Sequence, residues 1–247
     1  MSKNTVKFPV PASPNIEEVL DRFLEDCRKR LKPATMRKYE DIIDLFQDSM
    51  DGYAYQYLDK REAALFDNLY NAQGDDHREF CQVFGPEKIP LNVDEFLGYF
   101  MPRKVMCGKE LLKAAGTVTK KLGKWLAEQG YINSESAEDM VGRGAEATDK
   151  LPAAETLAEM LYDYANDHPV SRWTEKIEDY FTVEKVEPGK LYLSSYTSAD
   201  EHEDDIIELS LPKRITDLVE VGWNISLFIG KTKKGWQIIE TGGVYAL

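Results

Sequence analysis

Apolar residues recur at helical spacing along the first two thirds of the chain and alternate in short runs along the last third. After an extended, proline-containing leader, Asn15 is placed to cap a helix with Glu17 and Glu18 in its first turn. Ile16, Val19, Leu20, Phe23, Leu24, Cys27 and Leu31 then fall on one arc, which predicts an amphipathic helix. Lys32-Pro33-Ala34-Thr35 breaks it and is expected to cap a second helix, with a buried stripe of Tyr39, Ile42, Ile43, Phe46 and Met50 and an end at Asp51-Gly52. Residues 60–84 read as one or two shorter helices with Leu65, Leu69, Tyr70, Phe80 and Phe84 as core candidates, stopped by Gly85-Pro86. Asn92 is expected to cap a short helix with Val93, Phe96, Leu97 and Phe100 facing inward. A long helix is predicted from Lys109 to Gln129, closed by Gly130 in the position glycine favours just past a helix end. Its apolar set is Leu111, Leu112, Ala115, Val118, Leu122, Trp125 and Leu126. Residues 135–149 and 153–166 read as two further helices split at Leu151-Pro152, the first weakly amphipathic.

From about Trp173 the period changes. The runs 180–183, 191–193, 206–209, 225–229 and 236–239 are rich in β-branched and aromatic residues and are separated by turn chemistry such as Pro188-Gly189 and Lys234-Gly235. The expected fold class is therefore α+β and multidomain: an N-terminal all-α helical bundle followed by a small C-terminal β-barrel of the OB or SH3-like kind. The divisions read as a leader (1–14), a helical bundle (15–133), a helical extension or linker (134–172) and the barrel domain (173–247).

Composition narrows the function. Apolar residues make up 43 % of the 247 and aromatics 11 %, enough for a real core. Cys27, Cys81 and Cys107 form no C-x-x-C pair, which excludes a four-cysteine zinc site and suits free thiols in a reducing compartment. The start holds no signal-peptide apolar run, and no stretch approaches the ~18 apolar residues of a spanning helix. A cytoplasmic location without a membrane partner is the expectation.

Candidate chemistry is sparse. His77, His168 and His202 are the only histidines. The acidic run around His202 lacks the spacing of a calcium loop and reads as a solvated loop. No phosphate-binding, nucleophile-elbow or metallohydrolase motif is present, and no catalytic residue, metal ligand or cofactor is assigned.

The basic segments carry more information. Arg22, Arg28, Lys29, Arg30, Lys32, Arg37 and Lys38 face only Glu25 and Asp26 within residues 22–38. Arg103, Lys104, Lys109, Lys113, Lys120, Lys121 and Lys124 face only Glu110 within 103–124. On the long helix Lys109, Lys113, Lys120 and Lys124 share an arc of ~60°, opposite the apolar stripe. Such a cationic face is what phosphate contact requires. The bland alternative is a solvated helix face, since lysine is a common surface residue. The net charge of −13 sets a limit: any nucleic-acid site must be a local patch.

These segments also resemble a known family. Leu31-Lys32-Pro33-Ala34-Thr35-Met36-Arg37-Lys38-Tyr39, with Ile43 and Phe46, resembles the helix opening of the SAM-like core-binding domain of tyrosine recombinases and phage integrases. Thr117-Val118-Thr119, Leu122, Trp125-Leu126 and Gly130-Tyr131-Ile132 resemble that domain's closing helix. The resemblance spans about residues 15–133 and implies a helical clasp on DNA, with Arg37 and Lys38 near the backbone and Lys113, Lys120 and Lys124 on a second contact helix. The family's catalytic domain carries a His-x-x-Arg motif and a nucleophilic tyrosine. None of the three histidines here has that context, and the β module stands where the catalytic domain would be.

The expected function is a non-catalytic binding protein. Its candidate partner is duplex DNA, held through Arg37, Lys38, Lys109, Lys113, Lys120 and Lys124. The alternative is a protein-interaction or regulatory module with no nucleic-acid role, for which Tyr192 or Trp223 could serve as anchors if exposed.

Overall fold

The computed structural model describes residues 10–195 and 206–247, so the acidic run at 200–205, with His202, lies outside the described residues. The chain forms a helical region followed by a small closed β-barrel. By internal contacts it divides into two compact units: residues up to Phe100 with Ala114–Glu146, and Met101–Lys113 with Ala147–Leu247.

The first unit opens with helix α1 (Ile16–Arg28). Asn15 Oδ1 accepts the Glu18 amide at 2.9 Å and the Glu18 carboxylate accepts the Asn15 amide at 3.2 Å, so the expected cap is a reciprocal capping box. All of the predicted stripe from Ile16 to Cys27 is buried. Helix α2 (Pro33–Tyr53) starts without a capping side chain. Lys32 holds the cap position, and Pro33, with φ already helical, begins the first turn. Gly52 does not end α2, because the chain stays right-handed through Ala54.

Helix α3 (Lys60–Tyr70) and the single turn α4 (Phe80–Val83) follow. Here the expected core is corrected. Phe66, not Tyr70, is the buried residue, packed on Phe80 and Phe84 at ring separations of 6.0 and 6.2 Å, while Tyr70 is 45 % exposed. Residues Glu95–Phe100 wind as a wider π turn. Met101, at the start of α5 (Met101–Lys104), is buried, and Phe100 is only half-buried.

Helix α6 (Lys109–Glu128) ends as predicted. Gly130 takes φ 76°, its amide donates to Ala127 O, and the Tyr131 amide donates to Leu126 O at 2.9 Å. The Tyr131 ring packs on Trp125 at 5.8 Å and completes the motif.

Helix α7 (Ser134–Asp167) is one helix, where two were expected. Pro152 cannot donate to the carbonyl four residues back, a cost of about 3 kcal/mol. Leu151, Ala154, Leu157 and Leu161 flank it and are all buried. At about 2 kcal/mol for each buried leucine, that burial outweighs the lost bond. Within the first unit α6 and α7 meet backbone to backbone: a Cβ added to Gly144 would lie 2.7 Å from Gly116 O and 2.8 Å from Lys120 N. Contact through glycine leaves little hydrophobic periodicity, which is why this stretch reads as weakly amphipathic.

In the second unit β1 (Glu175–Glu187), β2 (Lys190–Ser195), β3 (Ile207–Ser210), β4 (Asn224–Thr232) and β5 (Gly235–Tyr245) close in the order β1-β2-β3-β5-β4. Neighbours are antiparallel except β3 and β5, which meet in parallel at Leu209 and Trp236. A parallel closure cannot come from a meander. With the short helix α8 (Lys213–Thr216) between β3 and β4, this is the OB arrangement rather than the SH3-like one. Inward residues such as Phe181, Leu193, Leu209, Ile225 and Ile229 form one core with Ala154, Leu157 and Leu161 of α7. Trp223 is 2 % exposed in that core, so it is no surface anchor. Arg103 stacks over Tyr245 at 3.6 Å and Tyr180 at 5.1 Å, fixing α5 to β1 and β5.

No helix among the described residues is long and apolar enough to cross a membrane.

Candidate nucleic-acid interface

The last turn of α1 sets the site. Phe23 and Cys27 point into the core of the first unit, which leaves Asp26, Lys29 and Arg30 at its edge. Asp26 is the hub. One carboxylate oxygen accepts Lys29 Nζ at 2.8 Å, the other accepts Trp125 Nε1 at 3.1 Å, and its backbone oxygen accepts Arg30 Nε at 3.2 Å. Trp125 is thereby tied to α1, with its ring edge-on to Phe23 at 5.5 Å. Behind it, Arg22 donates to the Tyr131 hydroxyl at 2.8 Å.

These contacts frame a cleft of 210 Å³. Phe23, Leu31, Tyr39 and Trp125 supply its apolar lining, and Arg30, Lys121, Lys124 and Glu128 its charged groups. The hydrogen bond from Lys29, and then that from Trp125, hold the Asp26 carboxyl below the usual carboxylate range. Burial pushes the Cys27 thiol and the Tyr39 phenol up, so both stay protonated at neutral pH. The remaining charge is three cations against Glu128. Lys121 and Lys124 are exposed, and neither has an ion-pair partner among the described residues.

The six residues singled out in the sequence are distributed unevenly. Lys124 lines the cleft. Lys120, on the same helix, is half-buried with its backbone beside Gly144 of α7. Arg37 and Lys38 are exposed on the first turns of α2, next to Tyr39. Lys109 and Lys113 fall in the second unit, where Lys109 pairs with Glu159 at 2.5 Å. The ~60° arc is real as helix geometry, but its lysines serve two different units. The cleft also brings in Arg30 and Lys121, together with Tyr39 and Trp125. A usable signal was present in the chain: Lys121, Lys124, Trp125 and Glu128 stand at i, i+3, i+4 and i+7 on one face of α6.

Elsewhere on α1, Arg28 is neutralised locally by Glu40 of α2 at 2.7 Å. Among the described residues no group of three or more His, Cys, Asp or Glu side chains could hold a metal ion.

Fold and cleft together define a two-part protein: a helical unit with a cationic, aromatic-lined surface, and an OB-type barrel. Within it, residues 15–46 match the family model of the phage integrase N-terminal SAM-like domain. The match covers α1 and most of α2, including Arg30, Arg37, Lys38 and Tyr39, and lies in the family's non-catalytic N-terminal domain. Neither the curated proteins nor the solved structures give a significant match to the chain.

Proposed function

We infer that this protein binds duplex DNA through its first unit and does no chemistry on it. The observation that carries this reading is the coincidence of two features. The integrase-type segment 15–46 contributes Arg30 and Tyr39 to a cleft whose other wall supplies Lys121 and Lys124. Backbone phosphates would be met by Arg30, Lys121 and Lys124, with Arg37, Lys38 and Lys120 on the flanks. Lys113 would serve only as an outlying contact, and Lys109 is already committed to Glu159. Burial pushes the Cys27, Cys81 and Cys107 thiols up, away from the thiolate that a cysteine nucleophile needs.

The test is the mobility of a short duplex at low salt. Retardation is expected to weaken steeply as salt rises, with a log–log slope of about −0.9 per phosphate contacted. It is also expected to vanish in Lys121→Glu/Lys124→Glu. An unshifted duplex would leave the alternative of a protein-binding module, which the exposed Tyr55, Tyr57 and Tyr70 favour.

A further inference from the structure

We propose that the cleft between α1, α2 and α6 receives a single unpaired nucleobase, so that the protein prefers DNA carrying an extrahelical nucleotide over fully paired duplex. The inference rests on the DNA-binding reading and adds to it.

Size comes first. At 210 Å³ the cleft lies below the about 300 Å³ at which sites for drug-sized ligands begin, so it suits one ring system. Its lining is aromatic: Tyr39 and Trp125 are 9 % and 7 % exposed, with Phe23 behind them. The strips of these rings that remain exposed would meet any base and be indifferent to its identity.

The polar groups agree with this. The Trp125 N–H is spent on Asp26, so it cannot read a base edge. Tyr39 is nine-tenths buried, lines the cleft, and its hydroxyl has no hydrogen-bond partner among the described residues. It is the donor left for a ring nitrogen or carbonyl. Arg30, Lys121 and Lys124 stand where the phosphates flanking an inserted base would need cations. A purely phosphate-tracking surface has no use for a concave aromatic lining, because paired bases stay stacked within the duplex. Extruding a base is least costly where it is already unpaired.

The experiment uses the full chain and three short DNA probes: a paired duplex, the same duplex with one extrahelical adenine, and that duplex with an abasic residue in place of the adenine. The adenine probe is expected to bind about tenfold tighter than the abasic one, since the two share backbone shape and differ only in the ring. With 2-aminopurine as the extrahelical base, fluorescence is expected to fall on binding as the ring stacks. Tyr39→Ala is expected to abolish the adenine advantage. Equal affinity for the adenine and abasic probes, unquenched 2-aminopurine, or an advantage that survives Tyr39→Ala would each overturn the inference. In those cases the paired duplex still binds and the DNA reading stands. Failure of all three probes to bind overturns both. Should Tyr39→Ala not fold, the abasic and 2-aminopurine comparisons on the unmodified protein decide.

Discussion

The indole N–H of Trp125 donates to a carboxylate oxygen of Asp26 across 3.1 Å, joining α6 to the last turn of α1 between residues 99 positions apart in sequence. Replacing Asp26 by alanine removes the acceptor for both Trp125 and Lys29. Asp26→Ala is expected to lower the melting temperature and to weaken DNA binding severalfold. Asp26→Asn, which keeps an oxygen for the indole, is expected to restore most of the binding. Paired thermal melts and duplex titrations check this.

Asp26 and Asp51 are expected to respond to pH with opposite sign. The folded state holds the Asp26 carboxyl low, through Lys29 and then Trp125, so its contribution is present above the unfolded carboxylate range and lost as pH falls through its folded value. Burial pushes Asp51 up, although its carboxylate accepts the Cys81 amide at 2.8 Å. Asp51 therefore binds its proton more tightly when folded and costs stability as pH rises from the ordinary carboxylate range through its folded value. Urea midpoints between acid and neutral pH are expected to be less pH-dependent in Asp26→Asn at the acid end. Asp51→Asn, which keeps the acceptor for Cys81, is expected to be the more stable protein at neutral pH.

Two glycines on α7 make a paired test of the helix contact. A methyl group at Gly144 meets backbone atoms of Gly116 and Lys120 within 2.8 Å, and backbone cannot step aside. Gly144→Ala is expected to destabilise by about 2 kcal/mol, more than the about 1 kcal/mol of helix propensity it gains. At Gly142 nothing lies within 4 Å, so Gly142→Ala is expected to stabilise by about 0.5–1 kcal/mol. Denaturant melts of both variants read the difference.

Leu157 sits at 0 % exposure in the barrel core. Leu157→Ala is expected to cost about 2–5 kcal/mol and to accelerate hydrogen exchange in the barrel strands, although the residue lies on a helix. An effect confined to helical amides would contradict a shared core.

Lys109 and Lys124 lie on one helical arc but are expected to differ in role. Lys124→Ala should reduce the salt slope of DNA binding by about 0.9. Lys109→Ala should leave that slope unchanged, because its ammonium is engaged with Glu159.

Elements closed by local chemistry were legible in the chain. Asn15 with Glu18, the buried stripe of α1, Gly130 at the end of α6 and the alternating runs of the barrel all signal within a few residues. Features decided by distant partners were not. Phe66 is core and Tyr70 is not because Phe80 and Phe84 lie on one side of α3. Pro152 stays helical because the residues around it have a barrel core to bury against. The same holds for the site. Both basic segments stood out, but which lysines face an aromatic lining depends on Asp26 reaching Trp125, and no spacing rule reports that.

The interleaving of the two units orders their completion during synthesis. Met101–Lys113 leaves the ribosome before the second half of the helical unit, Ala114–Glu146, exists. The barrel unit's first segment therefore waits, unpartnered, until the other unit has finished and Ala147 onward emerges. No single cleavage point yields both units intact: a cut after Glu146 leaves the first whole and strips the second of Met101–Lys113.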